Sequence, residues 1–292
     1  MTRVIHRKCG KLVIFAAMHQ YGARGQPWSL SAGPHDCKAC ATLRLFTVRR
    51  STKMVSEFEG VVVEGAFDEK FSATVSQFAS HIKTGLDVGA SFALSVDGEM
   101  VVDVWAGTQD EAGEQPWLQD TIINVYSSTK AVSFLCALVA AERGLIDFDA
   151  PVADYWPEFA VNGKQDVLVW HLMNHAAGLS GLDREVTLAE MCDWETMTSM
   201  LAAQAPWWEP GSANGYHAMT QGFLIGEVIR RVTGRSIGEF LQAEIATPLG
   251  ADFYIGVPES EFHRICNLIP AADGVPEAEP GTIAARTFAS PA

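Results

Sequence analysis

From Asp68 onward the hydrophobic positions fall into regular periods. Phe71, Val75, Phe78 and Ile82 share one face of a helix that ends at Gly85. Apolar runs at 90–96 and 100–105 flank Asp97-Gly98, a turn dipeptide that joins antiparallel strands. Residues 127–143 then carry apolar side chains on nearly every face beyond the first turn, the pattern of a helix buried all round. Gly144 is placed to be its left-handed C′ residue, and Asp147, Asp149 and Pro151 mark the turn that follows.

Between about 150 and 260 the pattern is helix and loop with little strand alternation. A short apolar segment, 170–174, runs into His175-Ala176-Ala177-Gly178-Leu179. Residues 219–232 predict a strong helix closed by Gly234, and Ser236-Ile237-Gly238-Glu239 is a capping box that starts another. After Phe262 the chain turns to Pro, Ala, Gly and acidic residues, and no further strand or helix pattern is legible. The expected organisation is a leader at 1–53 outside the fold, a sheet lobe with the apolar helix at 54–149, a helical lobe at 150–262 and an irregular segment at 263–292.

Length and composition bound the function. With 292 residues, 48% of them hydrophobic, the chain can bury a large core. Its net charge of −14 argues against nucleic acid or an anionic membrane as partner and fits small neutral or cationic substrates. That charge is uneven: residues 1–53 carry +9, leaving −23 for the rest. Within the basic leader, the apolar run 12–18 behind Arg3, Arg7, Lys8 and Lys11 resembles a secretory signal, and it is too short for a membrane span. An organellar transit peptide, or sequence upstream of a start at Met54, accounts for the same composition, and the last is preferred; a cytoplasmic location follows from it.

The six cysteines are scattered rather than framed for disulfides. Cys37 and Cys40 form a lone CxxC without a second ligand pair at zinc spacing. Cys136, Cys192 and Cys266 read as core thiols of a reducing compartment. No G-x-G-x-x-G, P-loop or H-E-x-x-H is present, so neither a nucleotide nor a catalytic metal is expected.

The chemistry is carried by Ser127-Ser128-Thr129-Lys130 at the mouth of the apolar helix. A helix start stabilises an alkoxide-like oxygen and a developing oxyanion. Lysine three positions on lies one turn along, on the same face. An ammonium that loses solvation gives way to the neutral amine that can take a serine proton. S-x-x-K alone is also what capping residues and a solvated lysine would look like; the apolar helix behind it shifts the balance toward catalysis.

These residues resemble the serine β-lactamase and penicillin-binding superfamily, especially carboxylesterases similar to class C β-lactamases. The likeness covers roughly residues 65–290 and rests on three stretches in order: 127–152, 170–179 and 208–222. It implies a β-lactamase/transpeptidase-like α/β (α+β) fold, an antiparallel sheet flanked by helices plus a mainly helical lobe. It also implies that Tyr216, with Ser127 and Lys130, completes the proton relay. Ala218 stands where the family's Y-x-N motif has Asn, a departure like that of the esterase branch. The third motif, a K-T-G or H-x-G-type strand, does not occur in 262–292, so the C-terminal sheet strands look missing. The hairpin at 90–105 is then expected to show an unpaired edge, the apolar helix to lose a covering layer, and stability and activity to be low.

The expected function is hydrolysis of small carboxylic esters through an acyl-enzyme, without cofactor. Trp194, Trp207, Trp208, Tyr126 and His217 are expected to border the substrate; for the tryptophans, ordinary packing is an equal reading. His175 and His217 read as scaffold rather than bases. β-Lactamase or D-amino-acid peptidase activity, and a catalytically impaired truncated relative, are the alternatives. Oligomeric state is not legible.

Overall fold

The computed structural model describes residues 10–13, 54–269 and 278–289. Their contacts divide the chain into two units. One runs up to Val125 and resumes at Glu259; the other starts at Tyr126, runs to Pro258 and includes 278–289. The class is the mixed α/β one expected, with an antiparallel sheet and many helices. The division falls at Val125 rather than at 149, because the helix at Thr129–Glu142 buries Cys136, Ala137 and Ala140 in the helical unit's core.

In the first unit, strands β1 (Gly10–Val13), β2 (Met54–Phe58) and β3 (Val61–Phe67) precede helix α1 (Ser72–Lys83), and β4 (Gly89–Val96) and β5 (Glu99–Gly107) follow it. The sheet order is β1-β4-β5-β3-β2. Asp97 and Gly98 have φ of +53° and +81°, the positive pair that a tight hairpin turn requires. The hairpin's expected free edge does not exist: β1 pairs parallel with β4, and β3 pairs antiparallel with β5. The β2–β3 ribbon is absent from the sequence reading because Glu64 and Gly65 interrupt the apolar run. Gly65 is needed there, since a Cβ would lie 2.1 Å from the carbonyl oxygen of Asp103 on β5. Val75 and Ala79 of α1 close the sheet's core on Val63, Val102, Val104 and Ala106, with Phe71, Phe78 and Ile82 packed around it as the periodicity predicts.

A second small core gathers Trp105, Trp117, Ile123 and Cys266. Here β6 (Ile122–Ile123) pairs in parallel with β7 (Ile265–Cys266), a strand in the segment expected to be irregular. Two residues are too few to show alternation.

The second unit starts with α2 (Thr129–Glu142), capped beyond its end by Gly144 at φ +68° as expected. Then come α3 (Val169–Met173), α4 (Leu188–Met191), α5 (Trp194–Ala203), α6 (Thr220–Thr233), α7 (Ile237–Leu241), α8 (Thr247–Leu249) and α9 (Ile283–Thr287). The capping box at Ser236 and Glu239 is formed in both directions, and Gly234 closes α6 in the left-handed region. α2 buries only one side: Phe134, Leu135 and Leu138 are about two-fifths exposed, which departs from the all-round burial that its apolar pattern predicts and agrees with the lost covering layer expected from the family resemblance. α9 is a further correction, a helix where none was expected. Cys136 and Cys266 are buried, but Cys192, at the C-cap of α4, is exposed and is not a core thiol. The CxxC at Cys37 and Cys40 lies outside the described residues. Among the described residues no helix is long and apolar enough to cross a membrane, and no cluster of His, Cys, Asp or Glu could hold a metal ion.

Candidate active site

The chain enters α2 through a single 3₁₀ turn, Tyr126–Ser128. Tyr126 sits at φ +44°, a sparsely populated conformation for a non-glycine residue, and Ser127 follows it with an exposed side chain. The strain lies at the entry to the helix, where it turns Ser127 outward rather than into the core. Lys130 lies one turn on. Its Nζ donates to Ser127 Oγ at 3.3 Å and to the carbonyl oxygen of Ala218 at 2.7 Å. Tyr216 Oη donates to the same Ser127 Oγ, and Lys130 Nζ stands 4.9 Å from the centre of the Tyr216 ring. The three side chains expected to meet therefore meet, all within one unit. Ala218 serves through its backbone carbonyl, a contact open to any residue type and invisible in sequence.

Tyr216 is held in place by two loops laid side by side. Trp207 N–H donates to Gly178 O at 2.7 Å, Gly211 N–H to Ala176 O at 2.9 Å, and Gly215 N–H to His175 O at 3.0 Å. Gly178 is obligatory at φ +75°, because a Cβ there would lie 2.6 Å from the Trp208 carbonyl oxygen. His175, itself at φ +66°, accepts the His217 N–H at Nδ1 and packs edge-on against the Tyr216 ring. Both histidines thus spend their hydrogen bonds on backbone.

His217 is fully buried. Leu179 N–H donates to Nε2, so the proton is on Nδ1, which faces the Gly215 carbonyl. Burial pushes its pKa down to about 4, with lesser contributions from His175 and Lys130. The unfolded chain therefore takes up this proton first as the solution is acidified. Stability should fall between about pH 6.5 and 4, by roughly 3 kcal/mol from this one group. Denaturant titrations across that range should show the slope, and His217→Gln should flatten it.

The remaining expected site residues separate. Trp208 lines a cavity of about 290 Å³ beside Tyr216, together with Ala213, Asn214 and Gly215 and, from α9, Ile283 and Thr287, with Phe288 at its end. Trp207 lies behind that wall, donating to Asp183 Oδ1 at 2.7 Å under the guanidinium of Arg286. Tyr126 flanks Ser127 in the chain and is largely exposed. His217 lies beneath the Tyr216 loop and does not line that cavity. Trp194 does not line that cavity either. Its indole donates to the buried Glu227 at 2.8 Å and packs on Gly226 and Phe223 of α6. Ile283 and Phe288 were missed, although a signal was present: Thr282 is an N-cap, accepting the Ala285 N–H at 3.1 Å, ahead of the helix-favouring Ala284-Ala285-Arg286.

Comparison with known proteins bears on the same residues. The family model described as Beta-lactamase matches residues 78–290. The Esterase/beta-lactamase LipL of Mycobacterium tuberculosis is 40% identical over 213 residues, covering 72% of this chain and 49% of that protein. A crystal structure of a family VIII carboxylesterase superposes with a TM-score of 0.69 at 47% identity, over 71% of this chain and 57% of that one. A penicillin-binding protein homologue from Caulobacter crescentus matches with a TM-score of 0.69 at 41% identity, over 72% and 57% of the two chains. The chain spans about half the length of the curated relatives it matches.

Proposed function

The chain belongs to the beta-lactamase family, and from that premise we propose that it is a serine hydrolase of small carboxylic esters that works through an acyl-enzyme. One observation carries the reading: Lys130 Nζ and Tyr216 Oη both reach Ser127 Oγ. A serine hydroxyl is a weak nucleophile until a neighbouring base takes its proton, and here two candidate bases touch it at once. In the forward step Ser127 Oγ bonds to the ester carbonyl carbon while its proton passes to whichever of Tyr216 and Lys130 is deprotonated. The tetrahedral oxyanion forms near the amino-terminal field of α2 and the backbone N–H of Ser127. As the C–O bond breaks, the proton returns to the departing alcohol. Water then attacks the acyl group along the same route, releasing the acid and restoring Ser127.

Esterase rather than lactamase activity is favoured by Ala218, which leaves the Y-x-N motif without its Asn side chain, and by the apolar lining of the cavity beside Tyr216. Among its relatives, Esterase EstB of Burkholderia gladioli, 28% identical, is named for esterase activity, and LipL is named for both activities. The direct test is labelling with a fluorophosphonate probe, with peptide mapping to Ser127, beside parallel kinetics on a p-nitrophenyl ester and a chromogenic cephalosporin. The ester should turn over faster. A folded chain that leaves Ser127 unlabelled would overturn the assignment, and faster cephalosporin turnover would reverse the substrate class. Tyr216→Phe should lower kcat/KM for the ester about 10²- to 10⁴-fold, the usual worth of a positioned proton-transfer group, with thermal stability little changed.

A further inference from the structure

The cavity beside Tyr216 is closed on one side by a helix of only five residues, and what holds that helix is unusually specific. Arg286 of α9 lies 3.8 Å over the Trp207 ring. Its guanidinium also donates to Asp183 Oδ1, the same oxygen that receives the Trp207 indole N–H at 2.7 Å. At the next residue of α9, Thr287 shares a buried hydrogen bond of 2.7 Å with Ser180. Side chains on α9 make all the contacts just described to 180–183 and 207, while Ile283 and Phe288 on the same short element face the cavity. A five-residue helix has too few backbone hydrogen bonds to persist alone, so its position depends on these side-chain ties.

Resting on the esterase reading above, we propose that Arg286 is a positioning residue for substrate size. It latches α9 against Trp207 and Asp183, and the latched helix presents Ile283 and Phe288 as the wall that an apolar acyl or alkyl group of several carbons packs against. Each element of the latch has its own role. Asp183 joins the two partners through one oxygen, and the indole supplies a planar face on which the planar guanidinium stacks. Lysine could restore the charge pair but not the stack. Methylene burial against such a wall is worth about four-fold in binding per carbon, so a latched α9 should make hydrolysis rise steeply with chain length until the cavity is full.

The experiment compares kcat/KM for p-nitrophenyl acetate, butyrate and hexanoate in the wild-type chain and in Arg286→Ala, Arg286→Lys and Trp207→Phe. Wild type should favour hexanoate over acetate at least about ten-fold, in line with the burial of about two of the four further methylenes. Arg286→Ala should cut that ratio by about five-fold or more, through KM for the longer ester, while acetate turnover and fluorophosphonate labelling of Ser127 stay near wild type. Arg286→Lys should recover only part of the preference, and Trp207→Phe, which keeps a ring for stacking but loses the indole donor, should fall between. If Arg286→Ala fails to fold, the two milder variants carry the comparison. An unchanged ratio in variants that still label overturns the latch and leaves the esterase reading standing. A wild-type chain that neither labels nor hydrolyses acetate overturns both.

Discussion

Ser127→Ala should abolish ester hydrolysis, with kcat falling by at least about 10⁴-fold, and should remove fluorophosphonate labelling entirely. The size of the effect follows from where the residue acts. Lys130 and Tyr216 converge on a single oxygen, and when that oxygen is gone neither has a proton to move, so their contributions vanish with it. The fold should be untouched, because the Ser127 side chain is exposed in the turn ahead of α2 and no core contact is lost. Ser128→Ala is the matching control. It removes a hydroxyl from the adjacent position, where the structure shows no side-chain cap for α2, and activity should remain within a few-fold. Equal losses in the two variants, or residual turnover in Ser127→Ala above the uncatalysed rate by more than a trace, would move the nucleophile elsewhere.

The site was legible in the sequence to the extent that it is local. Ser127 and Lys130 are one helical turn apart, and their juxtaposition follows from helix geometry and the apolar run behind them. Tyr216, eighty-nine residues away, could be placed only by resemblance to a family; periodicity says nothing about which loop is folded back onto a helix mouth. The structure supplies the missing reason, a ladder of backbone hydrogen bonds that lays 207–215 beside 175–178. Trp194 shows the opposite failure. A tryptophan near a presumed cleft reads as a substrate contact, but its indole N–H had a nearer obligation, a buried carboxylate on α6 that no linear pattern discloses.

The fold shows the same division. Helices with long periodic faces, α1 and α6, and the hairpin around Asp97-Gly98 come directly from the sequence, because period and turn chemistry agree there. The short or interrupted elements do not. The apolar pattern of β3 is interrupted by a glycine that the neighbouring strand requires, β6 and β7 are two residues each, and α9 depends on side-chain ties to distant loops. The exposed Phe134, Leu135 and Leu138 on α2 are a mixed case: the lost covering layer is expected from the family resemblance, but an apolar helix in sequence carries no mark of which face is left uncovered.

The buried carboxylate that claims Trp194 should also be costly to remove from the helical unit. The Glu227 side chain is 1% exposed and accepts from Arg230 Nε and Arg231 Nε, each at 2.7 Å, and from the Trp194 indole. Burial alone would raise this carboxyl; the bonds from Arg230, Arg231 and Trp194 overcome that and hold it ionised below the usual range. Removing one partner of such a buried group strands the others, at about 3–5 kcal/mol. Here the arginines are not wholly stranded, because Arg231 keeps Glu158 at 2.8 Å and Arg230 keeps Glu195 at 3.6 Å. The loss in Glu227→Ala should therefore sit near the lower end, about 3 kcal/mol, made up mainly of the unpaired indole N–H and the space left between α5 and α6. Urea unfolding measures it, and the combination with Trp194→Phe should be less than additive, since both changes break the same bond. Trp194→Phe alone should leave ester kinetics unchanged. A drop in kcat/KM without a drop in stability would put this indole back at the substrate and dissolve the network as an explanation.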